Sequence, residues 1–357
     1  VNWSPHTKGA PVATISQEFY KWYKADLSLM SRMGVNVARV YYDFGTGPEA
    51  LEILDAFYRM GIKLIMAVDS PRYGVAADMD NVRKVVEAYK NHPAILMWAV
   101  GNEWDLNYYY GKFSSGLDAA DFTERAAQLI KSIDGNHPVS TIFADPHIPA
   151  VHVLSPEEFP VEDNGYAYTV DIVNTFIPSV DVWGLSIYRG TSMEDVFQQW
   201  RSISDKPMFV AEFGADSFDH RILGENQAMQ AEVNGWIWDE IFFDLAAERT
   251  EGTAIGGLVF ELRDEWWKSG SPNHHDTSWE ANSGQPDGYN DEEYFGVADI
   301  YGNPKETFNA LKDRFTKGQA AVTLNERPLL RATSYGDASF GIGEKTVYFR
   351  GGGGGGG

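Results

Sequence analysis

The chain of 357 residues is 43% hydrophobic, enough to bury one large core, and about 250 residues is a usual size for a single α/β barrel. Because 51 Asp and Glu outweigh 29 Lys and Arg, for a formal net charge of −22, nucleic acids and anionic membranes are poor partners and a neutral ligand is favoured. The sequence has no Cys, which excludes disulfides and thiolate metal sites, and no apolar run approaches the roughly 18 to 20 residues of a membrane span.

Strand and helix patterns alternate along the chain. Residues 1–3 have the character of the end of a first strand that is clipped at the start. Seven β-branched or apolar runs then predict strands at residues 35–42, 63–69, 94–100, 139–143, 182–188, 207–213 and 255–262. Apolar residues at helical spacing predict helices after Pro48, around residues 82–89, 122–133 and 196–200, and at about 226–247 and 304–315.

This alternation predicts an α/β fold. Eight β–α units favour a closed (βα)8 TIM barrel over residues 1–317. A doubly wound open sheet is the alternative, but no Gly-rich phosphate loop follows an early strand. Residues 318–350 contain strand-like runs, 321–324 and 345–349, which predict a small C-terminal β appendage. The poly-Gly tail 351–357 has no side chains with which to pack and is not part of the fold.

Two short apolar runs each end on a glutamate. Glu103 follows the run that begins at Ala94, and Glu212 ends the run that begins at Pro207. In a barrel these would be the fourth and seventh strands, so both side chains would meet at the C-terminal mouth, where the active sites of this fold lie. Two carboxyl groups facing each other across a cleft are what cleavage of a glycosidic bond requires.

The two carboxyl groups must differ in pKa, and their neighbours give a reason. Arg39, at the end of the second strand, would hold a neighbouring carboxylate in its ionised form. A glutamate flanked by Trp98 and Trp104 loses hydration, and its pKa is raised towards the range of a general acid. We therefore expect Glu103 to be the proton donor of the pair.

Several motifs in this order resemble those of retaining glycoside hydrolases that have a (βα)8 barrel and catalytic glutamates on strands four and seven. The matching residues lie in the stretches WAVGNEWD, FVAEFGADS, VNVARVYYD, VWGLSIY and VNWSP, over about residues 1–315. The resemblance implies Glu103 as acid/base, Glu212 as nucleophile, and Asn102 as a hydrogen-bond partner of the sugar 2-hydroxyl. It also implies that Arg39 and Tyr188 support the nucleophile.

The resemblance suggests two different classes of substrate. The strand-seven stretch is similar to the β-glucuronidase and β-galactosidase family, whereas the single-barrel layout is similar to β-glucanases and β-1,3-glucanosyltransferases. The eighth strand departs from the pattern, because Phe260-Glu261 stands where many relatives place a tryptophan. We expect a retaining glycosidase acting on β-linked glucan or a similar neutral oligo- or polysaccharide, in an extracellular or periplasmic location. A glucan transglycosylase is the alternative on the same two glutamates.

Other residues have both a binding and a structural interpretation. Trp104, Trp266, Trp267 and the run Tyr108–Tyr110 could stack on sugar rings, or pack within an aromatic loop. Arg39 could pair instead with Asp43 or Asp69 at the barrel rim. Tyr188 could be ordinary core packing, and Asn102 could cap a loop.

Two other functions compete with glycosidase activity: metal-dependent catalysis and carbohydrate binding without catalysis. The acidic residues 287 and 290–293 do not have the ligand spacing of a standard calcium loop, and His274-His275-Asp276 has no third ligand at helical spacing. The sequence therefore predicts no required metal or cofactor. A metal-dependent barrel enzyme would use Glu103, Glu212 and Asp43 as ligands, whereas a non-catalytic carbohydrate-binding barrel would tolerate loss of both glutamates. The oligomeric state stays open.

Overall fold

The structure is a computed structural model that describes residues 1–10, 15–68, 78–145, 172–247, 252–281, 284–325, 341–342 and 345–346. The main strands are β1 (Val37–Arg39), β2 (Lys63–Ala67), β3 (Ile95–Val100), β4 (Val139–Phe143), β5 (Val182–Ser186), β6 (Met208–Phe213) and β7 (Ala254–Val259). The helices are α1 (Ile15–Met33), α2 (Pro48–Arg59), α3 (Met79–Tyr89), α4 (Trp104–Gly111), α5 (Gly116–Ile133), α6 (Val196–Ile203), α7 (Gln227–Phe243) and α8 (Glu306–Asn325). A π-helical turn covers Ile172–Phe176, and a 3₁₀ turn covers Glu292–Tyr294.

The seven described main strands form one parallel sheet in the order of the chain. Residues 1–3 close it, because Asn2 forms a parallel bridge with Arg39 and its backbone N–H donates to the Val259 carbonyl at 3.0 Å. This segment therefore lies between β7 and β1 and takes the place of a first strand. The predicted α/β barrel is confirmed, and with this segment counted β3 is the fourth strand and β6 the seventh.

The strands are buried on both faces, as expected for a parallel barrel covered by helices. All six residues of β3 and all six of β6 are buried. Inside the barrel, one apolar cluster joins side chains from all seven main strands, namely Val37, Ile65, Leu96, Met97, Ala99, Ile142, Val182, Phe209, Ala211 and Leu258. A larger cluster lies between the strands and the surrounding helices. The described interior of the barrel is therefore a packed core, and a ligand site is expected at the ends of the strands.

The loops after the strands contain short ribbons that add to the wall above the barrel. Phe218–Asp219 pairs with Gly224–Glu225, and Glu280–Ala281 pairs with Tyr289–Asn290, both antiparallel. Helix α2 has Pro48 in its first turn, as predicted. Helix α5 begins before the predicted residue 122, and the Ser115 hydroxyl caps it by accepting from the Asp118 N–H. Among the described helices, none is both long and apolar enough to cross a membrane.

The C-terminal region differs from the expectation in one respect. Helix α8 continues to Asn325, so the strand predicted at residues 321–324 is wrong. A helix that is already formed gains one backbone hydrogen bond for each added residue, and this outweighs the modest β-propensity of Val322 and Thr323. Gly341–Ile342 pairs with Lys345–Thr346, as expected for a β hairpin. The rest of residues 326–350, the tail 351–357 and Asp69 lie outside the described residues, and the domain division stays a prediction.

Candidate active site

Glu212 lies near the end of β6 with both carboxylate oxygens occupied by donors. Its Oε1 accepts from Arg39 Nη1 at 2.9 Å and from the Tyr41 hydroxyl at 2.7 Å, and its Oε2 accepts from the Tyr188 hydroxyl at 3.0 Å. Burial raises the pKa of Tyr41 and of Tyr188 well above the usual value, and the charge on Glu212 raises both further. Both phenols therefore stay protonated, and with Arg39 they give the carboxyl group of Glu212 three hydrogen-bond donors.

Arg39 is held in place by the closure of the barrel. Its Nη1 donates to Asn2 Oδ1 at 3.2 Å, and its Nη2 donates to Asn102 Oδ1. The amide of Asn2 in turn donates to the Ala211 carbonyl of β6 at 2.9 Å. One buried guanidinium thus connects the first segment of the chain, the loop after β3 and Glu212 on β6. The competing pairing of Arg39 with Asp43 is not found in the described residues, where Glu212 is its carboxylate partner.

Glu103 lies in the sharp turn between β3 and α4. Its backbone is left-handed, with φ of 46° and ψ of 36°, a conformation that costs about 1–3 kcal/mol for a non-glycine residue and is concentrated at functional sites. Gly101, with φ of 73°, makes this turn possible, because a Cβ at that position would lie 2.7 Å from Trp104 Cδ1. The turn therefore brings the chain from the barrel to its mouth within three residues.

The carboxyl group of Glu103 has the opposite electrostatic environment to that of Glu212. Burial raises the pKa of Glu103 to about 8, and the negative charges of Glu212 and Asp105 contribute to the increase. Attraction to Arg39 opposes this effect without cancelling it. Glu103 therefore keeps its proton at neutral pH, as general-acid catalysis requires, while the oxygens of its partner Glu212 accept three hydrogen bonds.

Both glutamates line one cavity of about 510 Å³ at the mouth of the barrel. Its wall also contains aromatic, polar and charged side chains from several loops, namely Tyr41, Tyr42, Asn102, Tyr110, Tyr188, Phe260, Glu265, Trp267, Lys268, Gln285, Asn290, Glu292 and Phe295. A volume of this size falls within the range of small-ligand sites, roughly 300–1,000 Å³. The cavity can hold a small sugar between a proton donor and a nucleophile.

The structure brings most of the predicted site residues together. Asn102, Tyr188 and Trp267 line the cavity, and Arg39 contacts Glu212 behind the wall. Trp266 does not line it, because its ring stacks on His275 with centroids 4.9 Å apart. Of the three consecutive tyrosines, Tyr110 lines the cavity.

Trp104 is in the core rather than at the cavity. Its side chain is 0% exposed, its indole N–H donates to Thr141 Oγ1 at 2.7 Å, and its ring stacks on Tyr109. The left-handed turn at Glu103 rotates the next side chain away from the mouth and into the layer between strands and helices. A stacking role for Trp104 is therefore not retained in the function proposed below.

Two groups of cavity residues were missed from the sequence. Tyr41 donates to Glu212, and a signal existed, since it is two residues beyond Arg39 and side chains at i and i+2 of an extended chain share a face. Lys268 and its partners Glu265 and Glu292 also line the cavity. No sequence pattern indicated that a lysine and a glutamate 24 residues apart would meet there.

The residues considered as metal ligands are engaged in other contacts. Asp43 accepts from the Gly45 N–H at 2.7 Å and from the Asn81 amide at 3.2 Å. His275 stacks on Tyr294, and Asp291 pairs with His220 at 2.6 Å. Within the described ranges, no group of three or more His, Cys, Asp or Glu is placed to hold a metal ion.

Comparison of the sequence with known proteins identifies its family. Residues 20–250 match the family model described as glycosyl hydrolases family 2, TIM barrel domain. The chain belongs to glycosyl hydrolase family 2. The matched region spans β1 to α7 and includes Arg39, Glu103 and Glu212.

Relatives of the chain have names of two kinds, β-glucuronidase and 1,3-β-glucanosyltransferase. A β-glucuronidase of Sus scrofa is 21% identical over 285 residues, covering 68% of this chain and 40% of the relative. The 1,3-β-glucanosyltransferase gel2 of Aspergillus fumigatus is 26% identical over 259 residues, covering 67% of this chain and 48% of the relative. The solved structure of Bacteroides uniformis β-glucuronidase has a TM-score of 0.54 at 16% identity, covering 84% of this chain and 33% of that protein, and shows a common fold. The chain thus spans less than half the length of these relatives.

Replacement of Arg39 by Lys tests the connection between barrel closure and Glu212. An ammonium group is a point charge without the planar fork that contacts Asn2, Glu212 and Asn102 together. We expect the Arg39→Lys variant to fold and to lose about 10- to 100-fold in kcat on any glycoside that the wild type cleaves, since small misplacement of a reacting group has effects of this order. Steady-state kinetics with circular dichroism as the folding control would measure this. An unchanged kcat would show that the guanidinium does not position Glu212.

Proposed function

We propose that this chain is the catalytic barrel of a retaining β-glycosidase, with Glu212 as nucleophile and Glu103 as acid/base. The observation that supports it best is the pair of carboxyl groups that line one cavity in different environments. Glu212 accepts hydrogen bonds from Arg39, Tyr41 and Tyr188, while burial and neighbouring charge raise the pKa of Glu103 to about 8. Membership of glycosyl hydrolase family 2 supports the same reaction class.

The reaction has two displacement steps. In the first, a carboxylate oxygen of Glu212 attacks the anomeric carbon, the bond to the leaving oxygen breaks, and Glu103 transfers its proton to that oxygen. In the second, Glu103 as a carboxylate takes a proton from an incoming hydroxyl group, which attacks the anomeric carbon and releases Glu212. Two inversions give a product of the same anomeric configuration as the substrate. Asn102, which lines the cavity and accepts a hydrogen bond from Arg39, would hydrogen-bond a sugar hydroxyl in this reaction.

A neutral β-linked glycan, such as β-glucan, is the proposed substrate. The chain has a formal net charge of −22, and Lys268, the only Lys or Arg on the described part of the cavity wall, is paired with two carboxylates. Trp267, Tyr110 and Phe260 offer apolar ring surfaces that suit the faces of sugar rings. The wall thus provides stacking and hydrogen bonding without a free positive charge.

Transfer to a second sugar is the alternative outcome of the same chemistry. The resemblance to a protein named 1,3-β-glucanosyltransferase supports this possibility. The attacking hydroxyl in the second step then belongs to a glycan rather than to water, and the identities of Glu103 and Glu212 in the mechanism do not change. Lengthening of oligosaccharides over time would mark transfer, and shortening alone would mark hydrolysis.

The stereochemical test uses β-1,3- and β-1,4-linked glucan oligosaccharides followed by proton NMR from the first minutes of reaction. We expect the β-anomer of the new reducing end to appear first and then to mutarotate, because two displacements preserve configuration. Initial formation of the α-anomer would indicate a single displacement and remove Glu212 as a covalent nucleophile.

Full activity after exhaustive chelation is also expected. Loss of activity that added metal restores would favour the metal-dependent rival.

A further inference from the structure

Among the described residues that line the cavity, one lysine lies between two glutamates. Lys268 Nζ lies 3.0 Å from Glu292 Oε2 and 3.2 Å from Glu265 Oε2, and 4.3 Å from the centre of the Phe260 ring. All four residues line the cavity that contains Glu103 and Glu212. We call Lys268, Glu265 and Glu292 the charge cluster.

The charge cluster places one lysine against two glutamates. Burial would lower the pKa of Lys268, but Glu292 and Glu265 raise it well above its usual value, so the lysine is cationic. Burial would raise the pKa of Glu292, yet Lys268 and Asn290 lower it below its usual value, so this residue is a carboxylate. Burial raises the pKa of the neighbouring Glu261 well above its usual value. The Lys268 ammonium therefore lies within ion-pair distance of two glutamates, 3.0 Å from Glu292 and 3.2 Å from Glu265, and its charge is compensated.

This compensation matters because relatives of the chain are named β-glucuronidases. A uronide carries a carboxylate, and a buried carboxylate needs a positive partner to offset its lost hydration. On the part of the cavity wall that the structure describes, the one ammonium, that of Lys268, already lies against two glutamates. A third carboxylate would meet net repulsion, whereas a neutral hydroxymethyl group could donate its O–H to Glu265 or Glu292.

We infer that the charge cluster is a specificity determinant that rejects anionic sugars and admits neutral ones, so that this chain differs in substrate charge from its glucuronidase relatives. The inference rests on the proposed glycosidase function and adds the residues that select the sugar. Glu292 is the member to test, since its side chain is 36% exposed and can be changed without opening the core. Rejection by an unpaired like charge is a common means of specificity.

The test compares two pairs of aryl glycosides that differ only at carbon 6: β-D-glucoside with β-D-glucuronide, and β-D-galactoside with β-D-galacturonide. For the wild type, we expect kcat/KM for the neutral member of the accepted pair to exceed that of the uronide at least 100-fold. In Glu292→Gln, Lys268 keeps one carboxylate partner, and we expect the ratio to shift towards the uronide at least tenfold. Glu292→Asp should restore rejection, because it returns the charge.

Two controls separate the charge effect from general damage. Glu87→Gln removes the same charge from an exposed position on α3 and should leave the ratio unchanged. Raising NaCl to about 0.5 M should reduce discrimination in the wild type and less so in Glu292→Gln, because salt screens charge repulsion over a few ångströms. A ratio in Glu292→Gln equal to that of the wild type would overturn the inference.

Binding distinguishes failure of this inference from failure of the proposed function. Calorimetric titration of Glu103→Gln with the same glycosides does not require turnover, and we expect the neutral glycoside to bind and its uronide not to. If the neutral glycoside binds but the wild type cleaves nothing, the proposed glycosidase function fails while the specificity assignment stands. The specificity assignment is wrong if the wild type cleaves the uronide as efficiently as the neutral glycoside, or if Glu103→Gln binds the two equally tightly. It is also wrong if Glu103→Gln binds neither sugar.

Discussion

Glu212→Gln removes turnover while the protein stays folded. The amide keeps the size of the side chain, but it cannot form the ester with the anomeric carbon, so we expect kcat to fall by about 10⁴-fold or more, the range seen when a covalent nucleophile is removed. An amide oxygen in the place of Oε1 can still accept from Arg39 and from the Tyr41 hydroxyl, whereas Tyr188 loses its acceptor at Oε2. Steady-state kinetics on the best glucan oligosaccharide would measure the loss.

A second substitution at this position tests the chemical role itself. Glu212→Ala leaves space for azide, which would attack the anomeric carbon once and give an α-glycosyl azide from an aryl β-glycoside. Truncation also leaves the Arg39 guanidinium buried without its carboxylate, so this variant should be less stable by about 3–5 kcal/mol. Thermal unfolding is therefore measured alongside. A Glu212→Gln variant that is folded and retains wild-type turnover would contradict the proposed nucleophile.

The barrel was predictable because its signals are periodic and local. Strands buried on both faces give continuous apolar runs, and the run that begins at Ala94 and the run that begins at Pro207 each lead to a polar residue at the barrel mouth. The parallel order then determines which ends meet. Glu103 and Glu212 could be placed on one cavity for this reason, even though 109 residues separate them.

The side-chain directions in loops could not be predicted in the same way. Trp104 immediately follows Glu103, and its burial depends on the left-handed backbone of that glutamate and on the close approach of Gly101. Lys268 meets Glu292 because two loops after β7 fold back over the mouth. Both outcomes are set by tertiary packing, which has no short-range periodicity.

The raised pKa of Glu103 predicts a limit to activity at alkaline pH. Burial is the largest cause, followed by the charges of Glu212 and Asp105, and the value is about 8. Glu103 is protonated below that pH and can donate to the leaving oxygen, whereas above it the proton is lost. We expect kcat/KM to be nearly constant from pH 6 to 7.5 and to fall about tenfold for each pH unit well above 8. A pH–rate profile on the free enzyme would measure this.

Replacement of Glu103 by Gln should abolish this alkaline limb together with most activity. The loss should be about 10²–10⁴-fold for substrates with poor leaving groups and much smaller for aryl glycosides whose leaving group needs no proton. Arg39 and Glu212 remain paired in the variant, so the first displacement is retained with activated substrates. An alkaline limb near pH 8 that persists in Glu103→Gln would assign it to another group.

The same pKa difference affects the free energy of unfolding, and this provides a measurement without substrate. A carboxyl group with its pKa raised from 4.5 to about 8 gives up its proton more readily in the unfolded chain, so the folded state loses stability as pH rises from about 4.5 to 8. Glutamine does not titrate. The melting temperature of the wild type should therefore fall relative to that of Glu103→Gln as the pH rises across this interval. Equal pH dependence in both proteins would show that Glu103 ionises normally. It would then lack the proton that the first step requires at neutral pH.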